Sequence, residues 1–240
     1  HNYISLLAPS YLKILGNSFQ LAFETTLITL LLAYPISYFL AFKAKNLRIF
    51  YLVLLILPSW TSLILQIYAW FFLLKRGGMI SQLFYWLGLT SQPLHMLNNH
   101  FAMLVGMVYC YLPFMALPIY AVLEKVDNNL IEASADLGAS RLVTIKKVIF
   151  PLSLPGVIAG AFLVFIPAFG EFAIPELLGG SKQLFWGNII VAKFLDYRDW
   201  PAGSAVTFVG FLLPALLLVT VYLVFCLTKK IVAARGNGHG

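Results

Sequence analysis

The chain has 240 residues, of which 61% are hydrophobic and only 10% charged, with a formal net charge of +7. A water-soluble domain carries roughly a quarter charged residues, so a chain of mean hydropathy +0.88 cannot cover a globular surface and reads as an integral membrane protein. In that setting the excess of positive charge points to cytoplasmic loops rather than to nucleic acid.

The opening residues, HNYISLLAPS, carry no cleavable leader and read as the middle of a longer chain. Five apolar runs then reach the ~20 residues a bilayer requires: 18–42, 49–72, 101–123, 149–170 and 204–228. Each holds an interior proline: Pro35, Pro58, Pro113 with Pro118, Pro167, and Pro214. Proline is tolerated in a span where neighbouring helices or cavities re-satisfy the freed carbonyls, so the fold class predicted is an all-α, kinked, polytopic transmembrane bundle. Between the second and third runs, MISQLFYWLGL (Met79 to Leu89) puts Ile80, Leu83, Phe84 and Leu87 at helical spacing. That pattern suits a helix lying along the outer interface or an amphipathic cap over the bundle.

Orientation follows from the basic residues. Lys43, Lys45, Arg48, Lys125, Arg141, Lys146, Lys147, Lys229, Lys230 and Arg235 share one set of connections, and Lys13, Lys75, Arg76, Lys182, Lys193 and Arg198 the other. The richer side is predicted to be cytoplasmic, with the first residues outside. Cys110 and Cys226 lie in apolar runs at different expected depths and read as small hydrophobes, not as a disulfide or metal pair. His1, His95, His100 and His239 are scattered and form no ligand cluster.

The second cytoplasmic loop holds a polar island, EASADLGASRLVTIKKVIFPLSLPG, Glu132 to Gly156. Asn129, three residues before Glu132, is predicted to cap a short helix that Gly138 ends. Ser140 is predicted to cap a second helix with Leu142, Ile145 and Ile149 in one stripe and Lys146 and Lys147 in its last turn. Pro151 and Pro155 would then mark the entry to the next span. Such a helix–Gly–helix elbow either docks as a rigid body on a partner or packs on its own bundle.

The order Glu132-Ala133-Ser134, three residues, Gly138, nine residues, Val148, one residue, Phe150-Pro151 resembles the EAA loop of the permease subunits of binding-protein-dependent ABC importers. Ser134, Val148 and Phe150 depart mildly from the family's Glu-Ala-Ala and Ile-x-Leu-Pro. NSFQLAFETTLITLLLAYPISYFLAF and ILPSWTSLILQIYAWFFLL resemble the family's second and third spans, which implies that the first of six expected spans has no counterpart here, by truncation or by disorder. GEFAIPELLGG, Gly170 to Gly180, with YRDWPAGSA, Tyr197 to Ala205, is most similar to the spermidine/putrescine branch. The resemblance implies a type I ABC importer permease in the bacterial inner membrane, a single permease domain over 1–240 with a coupling loop at 124–151. It implies Glu132, Ala133, Gly138 and Pro151 as the contact with a separate ATPase subunit. It also implies a second permease subunit, homo- or heterodimeric, and a periplasmic polyamine-binding protein.

No G-x-x-x-x-G-K-[ST] is present, so ATP and Mg would be bound by the partner and no cofactor by this chain. No Ser-His-Asp order, H-E-x-x-H or paired-Cys zinc spacing occurs, which leaves no catalytic and no metal residue to nominate. Acids placed outside or in outer halves of spans, flanked by aromatics, suit an elongated polycation through ion pairing and cation–π contact. The candidate path residues are Glu24, Trp60, Glu171, Glu176, Tyr197 and Asp199. Glu24 lies about two turns into the first run, where a charge is costly, and Pro175 and the flanking glycines predict a non-helical segment around Glu171 and Glu176. The same machine carrying another cationic or metal-containing solute, a membrane-embedded enzyme, and a channel stand as alternatives.

Overall fold

The structure, a computed structural model, describes residues 6, 8–90, 92, 94–180 and 183–236. It is helical, without a strand among the described residues, in accord with the all-α expectation. The chain divides into two packed units, residues 13–188, and residues 189–240 with the first twelve.

The helix α1, Pro9–Phe42, runs unbroken through Pro35. Its inward stripe, Ser18, Leu21, Ala22, Thr25, Thr29, Ala33, Ser37 and Leu40, repeats every three or four residues and is small and half polar. Its opposite side exposes Phe23, Leu27, Leu31 and Phe39, the inverse of a soluble helix and the pattern that lipid requires. Small residues let backbones approach, and two hydroxyls of the stripe bond to other segments: Ser37 Oγ donates to the Ala116 carbonyl at 2.8 Å, and Ser18 Oγ accepts the Trp186 N–H at 2.7 Å. Thr25 Oγ1 and Thr29 Oγ1, by contrast, are buried without a partner among the described residues. Beside the stripe, Tyr34 Oη meets Ser153 Oγ at 3.1 Å.

The second expected span is not one helix. It forms α2, Arg48–Ile56, then a 3₁₀ turn, Leu57–Trp60, then α3, Leu63–Leu74. Of the prolines expected inside spans, only Pro58 interrupts one. Thr61 turns extended there (ψ 156°), and side chains replace the lost ladder: Thr61 Oγ1 and Gln66 Nε2 both donate to the Pro58 carbonyl at 2.7 Å. Gln66 Nε2 also reaches the Thr61 carbonyl at 3.2 Å. Irregular backbone survives at membrane depth only when its carbonyls find such partners. The interface segment does form a helix, α4, Met79–Trp86, with Met79, Leu83 and Trp86 exposed.

The centre of the larger unit is α5, His100–Leu123, opened by Asn99, whose Oδ1 accepts the Ala102 N–H at 2.8 Å. It carries Pro113 and Pro118 without breaking and packs most extensively on α8, Phe150–Phe169. The reason is a G-x-x-x-G spacing, Gly156 to Gly160. A β-carbon on Gly156 would lie 2.7 Å from the Pro118 carbonyl oxygen, and one on Gly160 2.9 Å from Met115 Sδ. Two glycines one turn apart thus bring these backbones closer than any larger residue permits.

Upstream, α6, Asn128–Asp136, and α7, Arg141–Thr144, form the elbow. Here the second elbow helix is not separate. It passes through a π-helical turn, Ile145–Ile149, straight into α8, so helix continues from Arg141 to Phe169. Pro151 lacks the N–H that would serve the carbonyl four residues back, and the wider turn ahead of it takes up that mismatch. Lys146 and Lys147 therefore lie inside a continuous rod, not at a helix end.

After Phe169 the chain forms α9, Ala173–Gly179, correcting the expectation of a non-helical segment around Pro175. Pro175 sits in the first turn, where its missing N–H costs nothing. Ile174 and Leu178 are fully buried against Gly106 of α5. Then come α10, Trp186–Val191, a π-helical turn, Ala192–Asp196, and α11, Trp200–Gly236, which contains the fifth expected span. Among the described residues, four helical stretches, Pro9–Phe42, Leu63–Trp86, His100–Leu123 and Arg141–Phe169, are long and apolar enough to cross a membrane, with shorter apolar helices at Arg48–Trp60 and Trp200–Leu216.

Candidate functional site

Two places combine irregular backbone with exposed or polar chemistry: the elbow and a cavity at the broken span. At the elbow, Asp127 rather than Asn129 caps α6. Its carboxylate accepts the Asn129 N–H at 2.9 Å, and Asn129 Nδ2 donates to it at 3.2 Å. Helix begins at Asn128, so Asn129 lies inside the first turn, and an ionised acceptor suits the positive helix end. Gly138 has φ +76°, the left-handed region that lets α6 stop and the chain turn. Across the turn, Ser134 Oγ and Thr144 Oγ1 bond at 2.8 Å and tie α6 to α7. Ser140 holds the N-cap position through its backbone, its carbonyl accepting the Thr144 N–H at 2.9 Å, and its side chain makes no capping bond.

The elbow buries little. Leu137 is 88% exposed and Leu142 79%, so Leu142 does not join Ile149, which is buried, in one stripe. Leu130, Ala133, Leu137, Val143 and Val148 line an open groove of about 680 Å³ with Gly138 on its wall. Glu132, Ala133 and Pro151 are exposed. Apolar side chains presented on polar helices outside the spans are the usual mark of a docking surface.

The broken span walls a cavity of about 290 Å³, lined by Ser59, Thr61, Leu63, Gln66, Cys110, Tyr111 and Phe114. Trp60, between two of these residues, is 79% exposed. Behind the wall, Tyr111 Oη donates to Glu171 Oε2 at 2.8 Å. Glu171, 8% exposed, turns its other oxygen to the N–H groups of Phe172 (3.1 Å) and Ala173 (3.0 Å) at the start of α9. A buried carboxylate is thus held by a phenol and three amides, the third from Ile174 at 3.5 Å, with charge-assisted bonds strongest at the shorter distances. Glu176 is exposed and accepts from Asn188 Nδ2 at 2.9 Å.

Glu24 is partnered by Gln20 Nε2 at 2.8 Å and by the His100 ring. The rise from Glu24 to Phe42 is about 27 Å at 1.5 Å per residue, close to the ~30 Å hydrocarbon core. Glu24 therefore stands level with the end of α5 where His100 begins, about one hydrocarbon thickness from Phe42. His100 also lines a small cavity of about 70 Å³ with Asn98, Asn99 and Gln183. In the other unit, Asp199 Oδ1 accepts the Ala202 N–H at 3.1 Å and so caps α11. Tyr197 is exposed, with Lys193 Nζ 5.4 Å from its ring centre. Within the larger unit, Glu171 reaches the cavity wall through Tyr111 and Trp60 is a chain neighbour of two lining residues, while Glu24 and Glu176 are not among the lining residues. Gln66 was not among the sequence candidates, although a lone amide inside ILQIY was a usable signal, and His100 was set aside as one of four scattered histidines. Among the described residues no group of three or more His, Cys, Asp and Glu stands close enough to hold a metal ion.

Membrane-length helices, a broken span walling a cavity, and an apolar elbow outside the spans define a multi-span transport component. Residues 25–235 match the model of the family described as binding-protein-dependent transport system inner membrane component, and the chain belongs to that family. It is 43% identical over 204 residues to the spermidine/putrescine transport system permease protein PotB of Escherichia coli (strain K12), covering 85% of this chain and 74% of the relative. To PotB of Haemophilus influenzae it is 40% identical over 221 residues, 92% of this chain and 77% of the relative. Its fold matches a bacterial ABC transporter involved in import of the acidic polysaccharide alginate, with TM-score 0.71 at 14% identity, covering 93% of this chain and 82% of that one. A second structure, the alginate transporter in complex with an alginate pentasaccharide-bound periplasmic protein, gives TM-score 0.72 at 14% identity over 91% of this chain and 80% of that one. The chain is thus a multi-pass inner-membrane permease component with the ABC importer fold, a transport subunit rather than an enzyme.

Proposed function

We propose that this chain forms one half of the translocation path of a polyamine importer, carrying spermidine or putrescine. The observation that carries the reading is the cavity at the broken span. It sets the hydroxyls of Ser59, Thr61 and Tyr111 and the Gln66 amide among apolar Leu63, Cys110 and Phe114, with the buried Glu171 carboxylate behind Tyr111 and the exposed Trp60 next in the chain to Ser59. A primary ammonium desolvates well against such groups, through hydrogen bonds to neutral oxygens, the field of Glu171 and an aromatic face. The identity to two spermidine/putrescine permeases supports the same cargo. In this reading Glu171 attracts charge through Tyr111 and keeps the cavity wall in place. Glu24 and Glu176 act nearer the outer mouth, and Tyr197 and Asp199 belong to the path in the second unit.

The same reading makes 1–240 one permease domain and 124–151 its coupling loop. Glu132, Ala133, Gly138 and Pro151 meet an ATPase subunit that holds ATP and Mg. A second permease completes the path, and a periplasmic polyamine-binding protein delivers the cargo. The test is uptake by the complete importer in proteoliposomes, with labelled spermidine, putrescine, a basic amino acid and a divalent cation offered in turn. Saturable uptake of a polyamine alone is the expected outcome. Uptake of the amino acid or the metal in preference would assign the path to another cation.

A further inference from the structure

The ends of α1, α2 and α5 nearest the elbow meet in a small cluster, where Leu40, Ala44 and Tyr120 are buried and Tyr51 and Leu55 pack against them. Arg48 opens α2 at this cluster. Its guanidinium pairs with the carboxylate of Glu124, which ends α5, and lies 5.8 Å from the centre of the Tyr120 ring. Beyond Glu124, three residues lead to α6 of the elbow. At its other end α2 runs into the Leu57–Trp60 turn, whose Ser59 lines the cavity. One ion pair therefore joins the root of the elbow to the segment that carries the cavity wall.

We propose that Arg48 and Glu124 form a coupling latch, positioning residues through which displacement of the elbow reaches the cavity by way of α2. Two features fit a part that moves. No residue of α2 is fully buried, so the helix rests on the cluster only through partly buried side chains such as Tyr51 and Leu55 and follows whatever holds Arg48. The paired side chains are 32% and 40% exposed, so water screens the contact and it opens at small cost, unlike a buried pair. Arginine suits the place because its planar fork meets a carboxylate at its edge and an aromatic ring on its face, which lysine cannot do together.

The latch rests on the docking reading of the elbow, and the test separates the two. The complete importer is reconstituted with its ATPase, second permease and binding protein, and cargo moved per ATP hydrolysed is measured. Arg48→Gln and Glu124→Gln should each lower that ratio roughly threefold, the size expected of a half-exposed ion pair. Arg48→Lys should fall between these variants and the wild type. The exchanged pair, Arg48→Glu with Glu124→Arg, should recover most of the ratio. If the single variants keep the wild-type ratio while Gly138→Asp uncouples, the latch is wrong and the docking elbow stands. If Gly138→Asp also leaves the ratio unchanged, docking fails and the latch with it. Should the single variants not assemble, the exchanged pair decides alone, because an assembled but uncoupled exchange overturns the proposal.

Discussion

Tyr111 Oη donates to Glu171 Oε2 at 2.8 Å, and the same carboxylate caps the start of α9 with its other oxygen. One buried charge thereby fixes a cavity-lining helix and the helix behind it. Removing the phenol oxygen leaves a buried carboxylate short of a donor. Tyr111→Phe should lower stability by about 1.5–3 kcal/mol, the range for hydrogen bonds to charged groups. Thermal unfolding of the solubilised importer reads this, and an unchanged midpoint would show that the bond contributes nothing.

Glu171→Gln keeps an acceptor for the α9 amides but removes the charge. Each ammonium contact that feels that charge is worth on the order of 1.5–3 kcal/mol, so polyamine uptake should fall roughly tenfold or more at equal membrane abundance. Glu176→Gln retains an acceptor for Asn188 at an exposed position and should lose much less. Wild-type uptake by Glu171→Gln would remove the electrostatic argument for a cation path.

Gly138 has open space around it, since a β-carbon there meets no atom of this chain within 4 Å. Substitution therefore acts through the left-handed backbone, at about 1–2 kcal/mol, and through whatever docks on the elbow. Gly138→Ala carries the strain, Gly138→Asn tolerates the conformation, and Gly138→Asp adds charge. All three should insert in the membrane. If docking matters, Asn and Asp variants should both lose uptake and release the ATPase in detergent. Normal transport by Gly138→Asn with defective Gly138→Ala would assign the effect to backbone strain alone.

Gly156→Val should disrupt the α5–α8 contact, because its β-carbon would press on the Pro118 carbonyl oxygen and the Ile119 backbone, which cannot rotate away. Overpacking of this kind costs about 1–3 kcal/mol. Reduced membrane abundance with increased proteolysis is the expected result, and Gly16→Val, with no atom within 4 Å of its β-carbon, is the control.

Topology is tested by single cysteines in a background lacking Cys110 and Cys226. Asn46 and Asp136 are exposed and expected to be cytoplasmic, and Arg76 is exposed and expected outside. An impermeant reagent on intact cells should label Arg76→Cys alone. Labelling of Asp136→Cys from outside would invert the orientation and remove the elbow from the ATPase side.

The membrane class, the helical fold, three of the five span positions and the elbow were legible in the sequence. Each rests on local information: run length, helical periodicity and the spacing from Glu132 through Gly138 to Pro151. Elbow details were less so, because Asp127 and Asn129 compete for one cap and the π-helical turn joins α7 to α8 where a break was expected.

Composition and spacing by themselves determined that this chain lives in a bilayer, crosses it repeatedly and carries a polar elbow between spans. Which of the span prolines breaks its helix showed only in the folded chain. Every proline frees a carbonyl, but only around Pro58 do Thr61 and Gln66 stand ready to take up the backbone groups of an open turn. The tertiary structure also decided the partners of the acids. Glu24 meets His100 and Glu124 meets Arg48, each 76 residues away, and Glu171 meets Tyr111 60 residues away. No helical or strand period carries information across such distances, because those pairings exist only once packed helices bring distant turns to the same depth.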